Sequence, residues 1–189
     1  MKLYFITLAL IINFAVSTVS MATSMLPINL QQLSTRASLI IYAEVLNNET
    51  ARDENTGTIV TYTTFKIIDL IKGTAGETHT IKQIGGTLAD GGITYRIHGV
   101  PKFLAGKQYV VFLPEQSQYG FCSPLGLHQG SYNVTTIDGI KTINKGGNTS
   151  TQQNLNANSV TLPLAINATK PTQARLNDFV NTIRAFNAQ

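Results

Sequence analysis

The first apolar block of the chain runs from Leu3 to Val16 and is broken only by Thr7 and Asn13. Lys2 precedes it, small and polar Ser17-Thr18 follow, and Ser20-Met21-Ala22 has the small-x-small spacing of a cleavage site. These are the parts of a cleavable export signal, with cleavage expected after Ala22 and a periplasmic or secreted destination. A spanning helix needs about 18–20 apolar residues. The run falls short, and no Cys lies beside the cleavage site, so no stable membrane anchor is expected afterwards.

Beyond the leader, Leu26, Leu30 and Leu33 share one helical face and predict a short amphipathic helix. Ser38 to Leu46 is almost continuously apolar, as a strand covered on both faces is. Asn47 to Gly57 is polar and predicts a loop. Thr58 to Ile71, rich in Ile, Val, Thr, Tyr and Phe, predicts a long strand, and its alternation changes phase near Thr63-Thr64, the mark of a bulge. Two Asp-Gly pairs predict hairpins. Asp90-Gly91 joins Thr78–Ile84 to Ile93–His98, and Asp138-Gly139 joins Gly130–Thr136 to Ile140–Asn144. Between them Tyr109–Leu113 reads as a central strand.

From Gly146 to Thr169 no charged residue occurs, and Asn, Thr, Ser and Gln dominate, so this stretch reads as a linker or loop; its Val160–Ile166 run could form a short strand. Pro171 then suits a helix start, and Leu176, Phe179, Val180, Ile183 and Phe186 form a stripe that packs on a sheet. The expected organisation is a signal at 1–22, a β-domain at 23–145, a linker at 146–170 and a packed C-terminal helix at 171–189. At least six closely spaced strands with two helices predict a mainly β fold, a small OB-like barrel flanked by an N-terminal and a C-terminal helix.

Composition narrows the function. With 43% hydrophobic and 13% charged residues in 189, the chain is no disordered tail, and one domain of this size can bury a core without staples. Its single Cys excludes a disulfide scaffold and a Cys-rich zinc module. The net charge of +4 falls to +3 once Lys2 leaves with the signal, too weak for a nucleic-acid footprint.

Candidate chemistry is sparse. Cys122 could serve as a nucleophile with His98 or His128 as base, yet no hydrolase signature accompanies them, and a lone Cys is ordinarily a small buried hydrophobe. An intermolecular disulfide is the other use of such a Cys. His79, His98 and His128 lack metal-ligand spacing, so no metal is expected. Asp53-Glu54, the one adjacent acidic pair, reads as loop solvation. Gly106-Lys107 lacks the upstream glycine and the following Ser or Thr of a phosphate loop, and Gly85-Gly86 and Gly91-Gly92 lack the dinucleotide pattern, so no cofactor is expected. Four Asn-x-Ser/Thr patterns (Asn48, Asn133, Asn148, Asn167) follow from the abundance of Asn and Thr.

One string is more specific. Gly85-Gly86, then Gly99, Pro101, Phe103, Gly106 and Tyr109–Leu113, then Gly120-Phe121, Pro124, Gly126 and Gln129-Gly130 form a spaced set of special-geometry residues. With the strand end Ile71-Lys72-Gly73 and the closing Phe179 to Arg184 helix, it resembles a family of exported bacterial small β-barrel proteins of unestablished activity. The resemblance spans roughly 26–145 and 172–186. It implies a helix, a small barrel and a C-terminal helix, sometimes in the company of secreted proteases. More distantly, the order of elements resembles the netrin-module, OB-type barrel of metalloproteinase inhibitors. Those inhibitors chelate zinc with an N-terminal Cys, whereas Thr23 stands at the expected mature terminus, so that mechanism is not implied.

The expected function is an exported, non-catalytic binding protein. Its partner would be another exported protein, for example a protease, met by loops 99–106 and 120–130, with Gly99, Pro101, Phe103, Gly106, Phe121, Pro124 and Gln129 as the binding set. The rivals are a Cys122-dependent hydrolase and a structural or adhesive surface subunit.

Overall fold

The computed structural model describes residues 26–89, 92–145 and 173–188. The expected signal, the expected linker 146–170 with its Val160–Ile166 run, Pro171 and the Asp90-Gly91 turn lie outside them. Helix α1 (Leu30–Arg36) begins at a capping box. The Asn29 side chain accepts from the Gln32 amide at 2.8 Å, and the Gln32 side chain accepts from the Asn29 amide at 3.2 Å. Strands β1 (Leu39–Arg52), β2 (Ile59–Lys72) and β3 (Thr78–Ile84) follow as a meander. Next come a small two-stranded arm, β4 (Gly86–Thr87) and β5 (Thr94–Tyr95), and then β6 (Gln108–Leu113). A 3-10 turn at Leu127–Gly130 leads into β7 (Ser131–Ile137), β8 (Ile140–Lys145), β9 (Gln173–Arg175) and helix α2 (Leu176–Asn187).

The main sheet is antiparallel in the order β3-β2-β1-β6-β7-β8-β9. The fold is therefore mainly β with a short helix near its start and a helix at its end, as the hydrophobic pattern predicts. The expected closure into a barrel is corrected. The sheet is open, with β3 and β9 as its edges. The outer edge of β3 is met by a loop instead of a strand: the Cys122 amide donates to the Lys82 carbonyl at 2.9 Å, a single parallel bridge.

Both faces of the sheet carry a core, which explains the continuous apolar runs. Ile40, Tyr42, Val110 and Phe112 face α1 and α2, meeting Leu33, Leu176, Phe179, Val180 and Ile183. Ile41, Ala43, Val45, Tyr109, Val111 and Leu113 face the other way, toward Phe65, Ile81, Phe103 and Cys122. Alternation within β1 and β6 thus feeds two cores, and β6 lies at the centre of the sheet.

The register between β1 and β2 shifts three times, between Ile40 and Ile41, Tyr42 and Ala43, and Val45 and Asn47. The extra residues are Ile71 and Ile68 on β2 and Leu46 on β1. Phe65 and Ile71 are six apart and would share a face in a regular strand, yet they enter opposite cores; the bulge at Ile68 accounts for the change. The phase change expected in β2 near Thr63-Thr64 is corrected: β2 pairs with β3 without a break from Val60 to Lys66, and the residue inserted opposite the Thr64–Phe65 step is Leu46 of β1.

The loop expected from Asn47 is also corrected, because β1 continues to Arg52. Its polar residues are held by side chains across the ladder. Thr63 Oγ1 donates to Asn48 Oδ1 at 2.7 Å, and Thr50 and Thr61 hydroxyls meet at 3.1 Å. The hairpin at Asp138-Gly139 forms as expected, both residues taking positive φ (51° and 76°). The strand expected over Ile93–His98 shortens to Thr94–Tyr95.

Candidate functional site

The two loops of the expected binding set do meet. The His128 amide donates to the Gly99 carbonyl at 3.1 Å, and a Cβ on Gly99 (φ +84°) would lie 3.1 Å from Leu127 Cδ1. Within the set the residues serve different ends. Phe103 is buried and packs edge-on against Phe65 and Tyr109, with ring centroids 5.1 and 5.0 Å away. Its carbonyl accepts from Asn48 Nδ2 at 2.9 Å. Pro124 is buried as well.

Gln129 is buried and grips the segment ahead of α1: its Oε1 accepts from the Ile28 amide at 2.8 Å and its Nε2 donates to the Leu26 carbonyl at 3.2 Å. Gly106 makes a tight turn, with φ +73° and its amide donating to the Val45 carbonyl at 2.8 Å. Pro101 and Phe121 remain half-buried. These spacings therefore record mostly what the loops need in order to fold.

Phe121 belongs to a cluster that the sequence reading did not assemble. Lys82 Nζ lies 2.6 Å from Asp53 Oδ2 and 4.5 Å from the Phe121 ring centroid. Asp53 is only 3% exposed, which corrects the expectation that it solvates its loop; Glu54 is exposed. Asp53 Oδ1 also accepts from the Thr56 amide (3.0 Å) and hydroxyl (2.8 Å). The Lys82 hydrogen bond, then that of Thr56, holds the Asp53 carboxyl below its ordinary range despite burial. The Asp-x-x-Thr spacing was the available signal, since it favours a side-chain-closed turn.

Cys122 is buried in the core opposite the helices, and its Sγ donates to the Pro114 carbonyl at 3.6 Å. Burial pushes the thiol up to about 11, so it is overwhelmingly protonated at neutral pH. His98 is exposed, and His128 lies beside Gly99, its Nδ1 3.9 Å from where a Cβ would stand. His79, on β3 opposite Phe65, has its imidazole pKa lowered by burial. Among the described residues no three His, Cys, Asp or Glu side chains gather as metal ligands, and no helix is long and apolar enough to cross a membrane.

Two surface features stand out. An open cleft of about 330 Å³ lies between α2 and the bulged part of β2, lined by Tyr42, Ile68, Asp69, Leu176, Asn177, Val180 and Asn181. Its polar groups are partly committed, because Asp69 pairs with Arg184 at 2.7 Å and the Tyr42 hydroxyl accepts from Lys141 at 2.7 Å while donating to Gln108.

The second feature is the β4–β5 arm and the loops beside it. At its root Gly86 (φ +145°) presses on β1 and β2: a Cβ there would be 2.4 Å from Thr61 Oγ1 and 2.5 Å from Thr50 Cγ2. Residues 92–98 are all exposed, including Ile93, Tyr95 and Ile97, and Leu104 (59%) and Tyr119 (51%) project from the following loops. Exposed Arg96, Lys102 and Lys107 accompany them, and no Asp or Glu occurs between 92 and 107.

No family model matches the sequence, and no curated protein matches it.

Proposed function

We propose that this is an exported, non-catalytic binding protein that engages another exported protein, for example a secreted protease, through loops 99–106 and 120–130 and the arm beside them. The observation that carries the reading is a set of large apolar side chains left 38–59% exposed: Ile93, Tyr95 and Ile97 on the arm, Leu104 in the 99–106 loop and Tyr119 just ahead of the 120–130 loop. Loops tethered as these are, by the His128–Gly99 and Cys122–Lys82 backbone bonds, present such groups at low entropic cost. The buried, proton-bearing thiol of Cys122 favours binding over thiol catalysis. Export rests on the sequence of residues 1–22, and the likeness of the loop motifs to exported bacterial proteins supports it.

The test uses residues 23–189 as bait against the exported fraction of the source cells. One protein should be retained above background, lost with Leu104→Asp and Tyr119→Asp, and kept with the exposed control Glu77→Ala. No retained protein, or retention indifferent to both loop substitutions, would overturn the reading.

A further inference from the structure

The arm has a defined edge. Strand β5 is Thr94–Tyr95, and along the exposed stretch around it Ile93, Tyr95 and Ile97 alternate in sequence with Thr94 and Arg96, with a turn beginning at His98. Gly86 pairs with Tyr95 and Thr87 with Thr94, and the Leu88 amide donates to the Ile93 carbonyl at 3.1 Å. Bonded and non-bonded pairs alternate along an antiparallel ladder, so Thr87 and Thr94 form a non-bonded pair. The 3.1 Å approach of their hydroxyls agrees with this. The amide and carbonyl of Thr94 therefore point away from β4. Since β4 is rooted against Thr50 and Thr61, β5 is the outer strand of the arm.

We infer that the outer edge of β5 takes an extended peptide segment in which aliphatic residues alternate with Asp or Glu, adding it as a strand to the arm. The inference rests on the binding reading and names the chemistry of the partner. An added strand places its side chains in register with the faces of β5. Its aliphatic residues would lie beside Ile93, Tyr95 and Ile97, and its acids beside Arg96, with Lys102 and Lys107 further along the same acid-free stretch. An anionic lipid surface offers the same charge, but it cannot pair in a ladder with the outward amide and carbonyl of Thr94. A polypeptide can.

The experiment measures fluorescence anisotropy of an end-blocked ten-residue peptide alternating valine and glutamate, against the same peptide with lysine for glutamate. Phosphatidylglycerol vesicles form a third arm. The residue 23–189 protein should bind the acidic peptide more than tenfold tighter than the basic one, and less tightly at high salt. Arg96→Glu should weaken binding about tenfold, since an exposed pair is lost and a like-charge contact created. Thr94→Pro, which removes the outward amide, should abolish it.

Ile97→Asp should also abolish binding without touching the ladder, which guards against a Thr94→Pro variant whose arm fails to form. Equal affinity for both peptides, no binding, or association with vesicles alone would overturn the inference. If the capture experiment depends on Leu104 and Tyr119 but is indifferent to Arg96→Glu, the inference fails while the binding reading stands.

Discussion

Lys82 and Asp53, 29 residues apart, hold their charges 2.6 Å from each other with the carboxylate 3% and the lysine side chain 11% exposed. The pair ties the β1–β2 turn to the edge strand β3, and the Phe121 ring beneath Lys82 joins the loop that meets that edge. One contact thus fastens three separate stretches of chain.

Its pH dependence follows from the lowered Asp53 pKa. Folding favours the carboxylate, so the contribution is fully present above the unfolded value near 3.8 and is lost as pH falls through the lower folded value. Urea midpoints measured from pH 7 to pH 2 should drop below about pH 4, and Asp53→Asn should flatten that drop. His79, lowered by burial from 6.5, acts at higher pH, losing its contribution as pH falls below 6.5, so the two windows separate. An unchanged acid limb in Asp53→Asn would remove the pair from the account.

Phe103 and Leu104 are neighbours with opposite duties. Phe103→Ala should cost about 3–5 kcal/mol in urea unfolding, because its ring fills the space between Phe65 and Tyr109. Leu104→Asp, 59% exposed, should change stability by no more than about 0.5 kcal/mol. Similar losses for both would mean that the loop packs differently.

Gly86 is required by space as well as by φ. Gly86→Ala should destabilise by more than about 1 kcal/mol, since the new Cβ meets two short threonine side chains. Gly76→Ala, with nothing within 4 Å, is the matched control and should be neutral or slightly stabilising. Thermal melts of the two variants decide the point.

The thiol should be inert in the native protein. Cys122 should react with a disulfide reagent at neutral pH far more slowly in buffer than in urea, because it is buried and protonated. Non-reducing gels should show no disulfide-linked dimer through Cys122. Fast native reaction would place the thiol at the surface.

Much of the fold was legible in local patterning. The Leu30–Leu33 spacing, the doubly buried runs at Leu39–Val45 and Tyr109–Leu113, the Asp138-Gly139 turn and the stripe of α2 each correspond to an element of the structure, whereas Leu26, expected on the first helix, precedes it and is 86% exposed. The errors share a cause. Asn47 to Arg52 looked like loop because it is polar, but its strand is stabilised by Thr63 and Thr61 on a neighbour that local sequence does not identify. Within the expected binding set, spacing and exposure are separate matters. Phe103, Pro124 and Gln129 are spaced as a motif because they fold the loops, while exposed Ile93, Tyr95, Leu104 and Tyr119 carry no motif at all.

The sequence by itself determined which segments alternate, where the chain must turn and which strands are covered on both faces, because these depend on side-chain periodicity and on backbone freedom at single residues. Only the tertiary structure decided that the sheet stays open and that Asp53 is buried beside Lys82. It also decided that Cys122 lies in a core and that β5 forms the outer edge of an arm. Those outcomes depend on which distant groups come to share a space, and charge, burial and pairing are properties of that space.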